Sequence, residues 1–229
     1  NAVLLLRSRR LPRRLRPNRH MRKTLLPRIA ALFLGGVFAL GQPPFDLWWL
    51  ALLALVCVFA VTRFEYSPRH AGWVGWFFGT GYFAVSLHWI LEPFQVDAAT
   101  TGWMAPFAWV GLAGGLALFW AAAFWVGRRV HHGIVAIAFV WASAELARAY
   151  VLTGFPWGLV GYVWSDTPVA QWHSVIGPHG VTLATLLLAA LAAEAIMTRQ
   201  ARLGLASAGA TVALWFGGNV LTDAPAERA

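Results

Sequence analysis

Glu145 and Arg148 stand three residues apart near the end of a long apolar run, so on a helix they share one face. An ionisable residue in such a segment is a functional candidate by default, and two readings stand side by side. Either the pair is mutually satisfied and anchors the helix end, or the guanidinium holds a lipid phosphate or a substrate carboxylate. His88 and Glu92, four apart around Trp89, have the reach for acid–base work. Without a nucleophile between them, an interfacial hydrogen bond is the better reading. A nucleophilic enzyme needs a Cys or Ser with a base beside it. The single cysteine, Cys57, lies inside an apolar run, and the single lysine is Lys23. Ser86, Ser165 and Ser174 have no His or Asp at a spacing that marks them as activated, so no catalytic set emerges. His173 and His179 receive no role, and His131 and His132 beside Arg128 and Arg129 read as a solvated turn. One cysteine also precludes an intrachain disulfide or a Cys-rich metal site, and no metal or cofactor is expected.

The elements that carry these residues follow from composition. Of 229 residues 59% are hydrophobic and only 12% charged, with a mean hydropathy of +0.61. A soluble domain has roughly 45–50% apolar and about 25% charged residues, so a soluble enzyme and a disordered tail are both excluded. Fourteen Trp and fifteen Phe fit the aromatic belts of a membrane boundary. The sequence predicts an all-α membrane protein with apolar segments at 28–41, 47–62, 71–91, 103–126, 133–151, 175–197 and 203–221. A crossing needs about 20 residues. The last five segments meet that comfortably, and the first two are short crossings joined by a tight turn at Gln42-Pro43-Pro44-Phe45-Asp46. Gly75 with Gly79, and Gly111 with Gly115, have the spacing that lets helices approach closely.

Charge placement orients the spans. The formal net charge is +9, and ten of the eighteen Lys/Arg lie between Arg7 and Arg28. Six more, Arg63, Arg69, Arg128, Arg129, Arg199 and Arg202, fall in the connections that share a side with that leader. Only Arg148 and Arg228 fall on the other side, whereas Asp46, Glu92, Asp97, Glu145, Asp166, Asp223 and Glu227 all do. Cytoplasmic segments are enriched in Lys/Arg, so the expected topology is about seven crossings, N-terminus in and C-terminus out. The same bias, with anionic lipid, accounts for the basic leader without invoking nucleic acid. Residues 1–27 form that leader, 28–221 the multi-span domain and 222–229 a linker. Met21 is the first methionine, which leaves open that residues 1–20 lie upstream of the native start. The connection between spans five and six, rich in Trp, Phe, Gly and Pro, is expected to be half-buried at headgroup depth or within the bundle, its backbone groups covered by protein or water.

Glu145-x-x-Arg148, followed by Val151-Leu152-Thr153-Gly154-Phe155-Pro156-Trp157 and Gly161-Tyr162, resembles the membrane domain of bacterial apolipoprotein N-acyltransferases. So do the Pro44-Phe45-Asp46-x-Trp48 turn, the Gly81…His88-Trp89 end of span three and Gly177-x-x-Gly180 at the start of span six. The resemblance covers roughly 28–221. It implies an inner-membrane protein with seven spans, then a periplasmic nitrilase-like domain and a final span. A Glu–Lys–Cys triad in that domain would take an acyl chain from a phospholipid as a thioester and pass it to the α-amino group of a diacylglyceryl-cysteine on an apolipoprotein. None of the triad maps onto a position here, so these residues alone are expected to be inactive, with the nitrilase-like domain absent after the linker. Under the resemblance, Trp89, Glu145, Arg148, Thr153, Gly154, Phe155, Pro156, Trp157 and Trp164 would line the lipid and substrate route from the periplasmic side. The implied partners are a phospholipid donor, a diacylglyceryl apolipoprotein acceptor and the bilayer. The alternative class is a non-catalytic membrane scaffold or a transporter; a transporter should show discontinuous helices, a midplane polar site and inverted repeats. The span interiors here are nearly free of ionisable residues, and no repeat is visible.

Overall fold

The computed structural model describes residues 19–65, 67–151 and 154–223. Each apolar run becomes a helix. Helices α1 (Arg19–Ala39), α2 (Trp48–Arg63) and α3 (Pro68–Ser86) are followed by a 3-10 segment, His88–Gln95, and the short α4 (Ala98–Thr101). A 3-10 turn, Gly102–Met104, leads into α5 (Ala105–Val130), and α6 (Ile134–Tyr150) comes next. Two further 3-10 turns, Val160–Trp164 and Pro168–Trp172, precede α7 (His173–Thr198) and α8 (Ala201–Asp223). No strand occurs among the described residues.

Prolines set the boundaries. Pro43 and Pro44 occupy the turn between α1 and α2, where neither breaks a helical bond. Pro68 and Pro106 sit in the first turns of α3 and α5, where a missing N–H costs nothing. Pro178 would break α7, and the chain meets it with Gly177 at φ 71°, ψ 169°, so the straight part of α7 begins at Pro178. Gly177 supplies a left-handed conformation that a residue with a Cβ rarely takes.

The expected spans differ in detail. Segment three does not run straight from 71 to 91: α3 ends at Ser86, and the chain turns by 47° into His88–Gln95. Segment five gives a helix of only 17 residues, at the low end of what crosses a bilayer. Ala98–Val130, Pro168–Thr198 and Ala201–Thr222 are long and apolar enough to cross, and the bent pair makes a fourth; Leu25–Ala39 and Trp48–Arg63 are apolar but shorter.

Helix α3 lies between α1 and α5. A Cβ on Gly35 would stand 2.0 Å from the Phe78 carbonyl oxygen, and one on Gly81 would stand 2.0 Å from that of Leu32. These two glycines let α1 and α3 touch backbone to backbone. Gly75 and Gly79 do the same against α5, at Trp120 and Ala117. Gly111 and Gly115 correct the sequence reading: both face open space. Their four-residue spacing is identical, but they lie on the side of α5 that no helix covers among the described residues. Inside, Trp120 packs at 4.7 Å from Trp141 and 5.0 Å from Tyr82, and Phe38, Phe78, Phe83 and Phe124 close around them. Outside, Phe33, Phe107 and Leu205 are 71%, 72% and 73% exposed, a surface suited to hydrocarbon.

The bundle has two ends of different character. At one, Arg63 pairs with Glu194 at 3.4 Å, and Arg128 donates to the carbonyls of Glu65 (2.7 Å), Thr62 (2.6 Å), Arg63 (3.0 Å) and His132. His131 and His132 are exposed, as a solvated turn requires, whereas Arg128 beside them is only 2% exposed and staples the α2–α3 and α5–α6 turns together. At the other end, Gln42 Nε2 donates to Leu159 O at 3.2 Å and ties the α1–α2 turn to the α6–α7 loop.

Candidate lipid and substrate site

The last two turns of α6 carry Glu145 and Arg148, both fully buried. Arg148 Nε donates to Glu145 Oε1 at 3.0 Å and Nη2 to Oε2 at 2.9 Å, a two-pronged pair with the planar match that favours Arg over Lys. Nη1 donates to the carbonyls of Phe155 (2.6 Å) and Trp157 (2.8 Å), and Nη2 reaches that of Gly158 at 3.4 Å. All five guanidinium N–H groups are thereby engaged. The cation also lies 5.2 Å from the Phe83 ring and near a helix C-terminus, where positive charge is favoured. Glu145 Oε1 accepts a further bond from Trp120 Nε1 at 2.7 Å. Of the two readings, geometry selects the mutually satisfied pair, and it adds that the pair's main cargo is a loop.

The loop's sequence is explained by this clamp. The chain leaves α6 extended at Val151 and folds back, so Phe155 N donates to Arg148 O at 2.9 Å. Gly154 has φ 72°, and a Cβ there would stand 2.4 Å from Ala149 O. Gly158, at φ 63°, offers its carbonyl to Tyr82 Oη at 2.8 Å. Thus in the Gly-Phe-Pro-Trp-Gly run after Glu-x-x-Arg the carbonyls of Phe155, Trp157 and Gly158 are aimed at one buried cation. The second half of the loop is pinned to α7: Gly161 N donates to Thr182 Oγ1 at 3.0 Å, and Trp164 Nε1 to Thr185 Oγ1 at 2.8 Å. Half-burial of the loop is as expected.

The candidate residues that the structure describes separate into four groups. Pro156 and Trp157 line a cleft of about 450 Å³ with Tyr162 and Ser165, and Trp157 is 62% exposed. A second cleft of about 340 Å³ shares Tyr162 and Ser165 and adds Ala170, His173 and Pro178. Glu145, Arg148, Gly154 and Phe155 shape the loop beneath these clefts. Trp164 is turned inward, 1% exposed, and stacks on Trp48 at 5.7 Å, so it supports the loop from the core. Trp89 sits on His88–Gln95, 46% exposed, and lines neither cleft. Thr153 lies outside the described residues. His88 Nδ1 bonds to Val85 O at 2.9 Å, and Glu92 is exposed without an ion pair among the described residues.

Sequence reading missed Tyr82 and Trp120, which complete the clamp from 76 and 25 residues away, and Tyr162 and His173, which line the clefts. His173 carried the one legible signal, a histidine beside the aromatic loop. Its ring lies 5.8 Å from that of Tyr162 and its Nε2 has no hydrogen-bond partner.

Residues 34–191 match the family model described as the apolipoprotein N-acyltransferase N-terminal domain. The chain belongs to the apolipoprotein N-acyltransferase family. It is similar to the apolipoprotein N-acyltransferase of Caulobacter vibrioides, 40% identical over 197 residues that make 82% of this chain and 36% of that protein. The Brucella suis protein of the same name is 38% identical over 218 residues, 87% of this chain and 41% of its own length. A relative from Ralstonia nicotianae is 32% identical over 194 residues, 81% and 37%. The chain therefore spans about two fifths of the N-acyltransferases it matches. The matched stretch contains the whole Arg148 clamp and both clefts.

Proposed function

We propose that these residues form the membrane domain of an N-acyltransferase and present a phospholipid acyl chain, and the lipoprotein that receives it, to a catalytic centre carried elsewhere in the polypeptide. The observation that carries this reading is the clamped loop 154–166. Its two clefts open beside an exposed tryptophan, and every residue that fixes its shape falls within the stretch matched to the family. Seven crossings with the N-terminus in the cytoplasm would put the clefts on the periplasmic side of an inner membrane, and the positive-inside bias supports that orientation. Arg63, Arg128 and Glu194 gather at the opposite end, in keeping with it.

In this account the residues described supply binding and orientation. Trp157, Pro156 and Tyr162 offer an apolar and aromatic wall for acyl chains, and Ser165 and His173 offer polar edges for a headgroup or peptide. The transfer itself breaks the phospholipid ester, with the acyl group passing to a thiol and the lysophospholipid hydroxyl leaving. The amine of the diacylglyceryl-cysteine then forms the amide and regenerates the thiol. Glu145 and Arg148 take no part in that chemistry and act by holding the loop. The scaffold or transporter alternative has no comparable support.

Sidedness gives the test. With Cys57 and every other cysteine of the complete protein replaced by alanine, Ser165→Cys should react with an impermeant maleimide from the periplasm in intact cells. His132→Cys should react only after the inner membrane is opened. The reverse pattern, or labelling of both from one side, would overturn the assignment.

A further inference from the structure

A groove lies away from the clamped loop, between α3 and α5 near the basic end. It has a volume of about 650 Å³ and is lined by Gly72, Trp73, Trp76, Leu118, Ala121, Ala122 and Trp125, with Arg69 at its edge. Small residues make its floor and indole rings its walls. Trp76 is fixed by a 3.1 Å bond from Nε1 to Gly114 O, and Trp73 meets it edge-on at 5.7 Å. Leu118, 60% exposed, continues the apolar path toward the middle of the bundle.

Two more cations flank the mouth. The Arg28 guanidinium lies 5.3 Å from the Trp73 ring, and that of Arg129 lies 6.0 Å from Trp125. Stacking uses the face of a guanidinium and leaves its in-plane N–H groups to bind an anion. Among the described residues Arg28, Arg69 and Arg129 have no carboxylate partner; at this end Glu194 is taken by Arg63 and Glu65 by His70, at 3.5 Å. Three uncompensated arginines around the head of an apolar groove have the charge pattern of a phospholipid: one anionic phosphodiester joined to a hydrocarbon chain. A second copy of this chain fits less well, because a two-fold contact through the groove would bring arginines toward arginines.

We propose that the α3–α5 groove is a resident site for an anionic phospholipid of the leaflet at the basic end. One acyl chain lies over Gly72, Ala121 and Ala122 between the three tryptophans, and the phosphodiester is bound by Arg69, Arg28 and Arg129. The proposal rests on the membrane reading but not on acyl transfer. The site is separate from the clefts of the 154–166 loop and binds a lipid that is held, not consumed.

The complete protein in phosphatidylcholine nanodiscs, with a trace of phosphatidylglycerol bearing a photoactivatable acyl chain, provides the test. Adducts mapped by mass spectrometry should fall on 72–76 and 118–125, and unlabelled phosphatidylglycerol should displace them about tenfold more effectively than phosphatidylcholine. Arg69→Ala with Arg129→Ala should lower this labelling by about fivefold or more, and Ala121→Phe should block it by filling the floor, each with an unchanged melting temperature. Labelling of α8 at Leu205 and Phe216, which is independent of the groove, reports membrane embedding alone. Adducts on α8 without headgroup preference at the groove would overturn the lipid site while leaving the membrane reading intact. Adducts at neither position would overturn both. Protein–protein crosslinks from Leu118→Cys in place of lipid adducts would assign the groove to a helix or a second copy and reject the proposal.

Discussion

Trp120 Nε1 and Arg148 Nε converge on the same oxygen, Glu145 Oε1, at 2.7 and 3.0 Å. That shared acceptor joins α5 to the end of α6, and Arg148 extends the connection to three loop carbonyls. The buried pair is therefore a bracket for the loop that precedes α7. Breaking a buried ion pair by removing one partner costs about 3–5 kcal/mol, because the other charge is left uncompensated.

Arg148→Ala should accordingly lower the melting temperature of the complete protein strongly and abolish its activity. Arg148→Lys should rescue little of either, since an ammonium cannot reach the carboxylate and the Phe155 and Trp157 carbonyls in one plane. Thermal unfolding in detergent checks this, and a wild-type melting curve for Arg148→Ala would contradict it.

Trp120→Phe keeps an aromatic ring in the core but removes the donor to Glu145. A hydrogen bond to a charged group contributes about 1.5–3 kcal/mol. A double-mutant cycle with Glu145→Gln should show coupling between the two sites; strict additivity would mean that the bond carries no weight.

Glycine substitutions should divide by location. Gly35→Leu and Gly81→Leu push a side chain into backbone carbonyls of the facing helix and should abolish folded yield. Gly111→Ala and Gly115→Ala meet nothing and should stay within about 0.5 kcal/mol of wild type. Fluorescence-detected gel filtration of the four variants separates these outcomes.

At the basic end, Arg128→Ala should leave the carbonyls of Thr62, Arg63 and Glu65 without their shared donor. The expected result is a lower melting temperature together with faster hydrogen exchange in 62–65 and 131–133. Arg129→Ala, at an exposed position, should change neither. Equal effects of the two substitutions would contradict the staple.

How much of this was legible in the sequence follows from which forces act locally. Apolar runs bounded by Pro and Gly mark the helices, because a lipid-facing segment must satisfy its own backbone. The spacing of Glu145 and Arg148 marks a shared face. Their partners are not periodic: Trp120 and Tyr82 come from other helices, and the bonds of Arg148 to Phe155, Trp157 and Gly158 go to carbonyls, which have no side-chain signature. Gly75–Gly79 and Gly111–Gly115 are indistinguishable as strings, and only the placement of α3 decides which pair is covered. Arg128 and Arg129 are adjacent, yet one is buried and one exposed, because a helix turns by about 100° per residue.

The claim on which the account depends is that this domain serves N-acyl transfer from a phospholipid. The most direct measurement uses the complete polypeptide, purified and supplied with phosphatidylethanolamine and a synthetic diacylglyceryl-cysteinyl peptide. Mass spectrometry should find the peptide heavier by one acyl group, with a matching amount of lysophospholipid, and residues 1–229 alone should give neither. A complete, folded protein that leaves the peptide unmodified would contradict it.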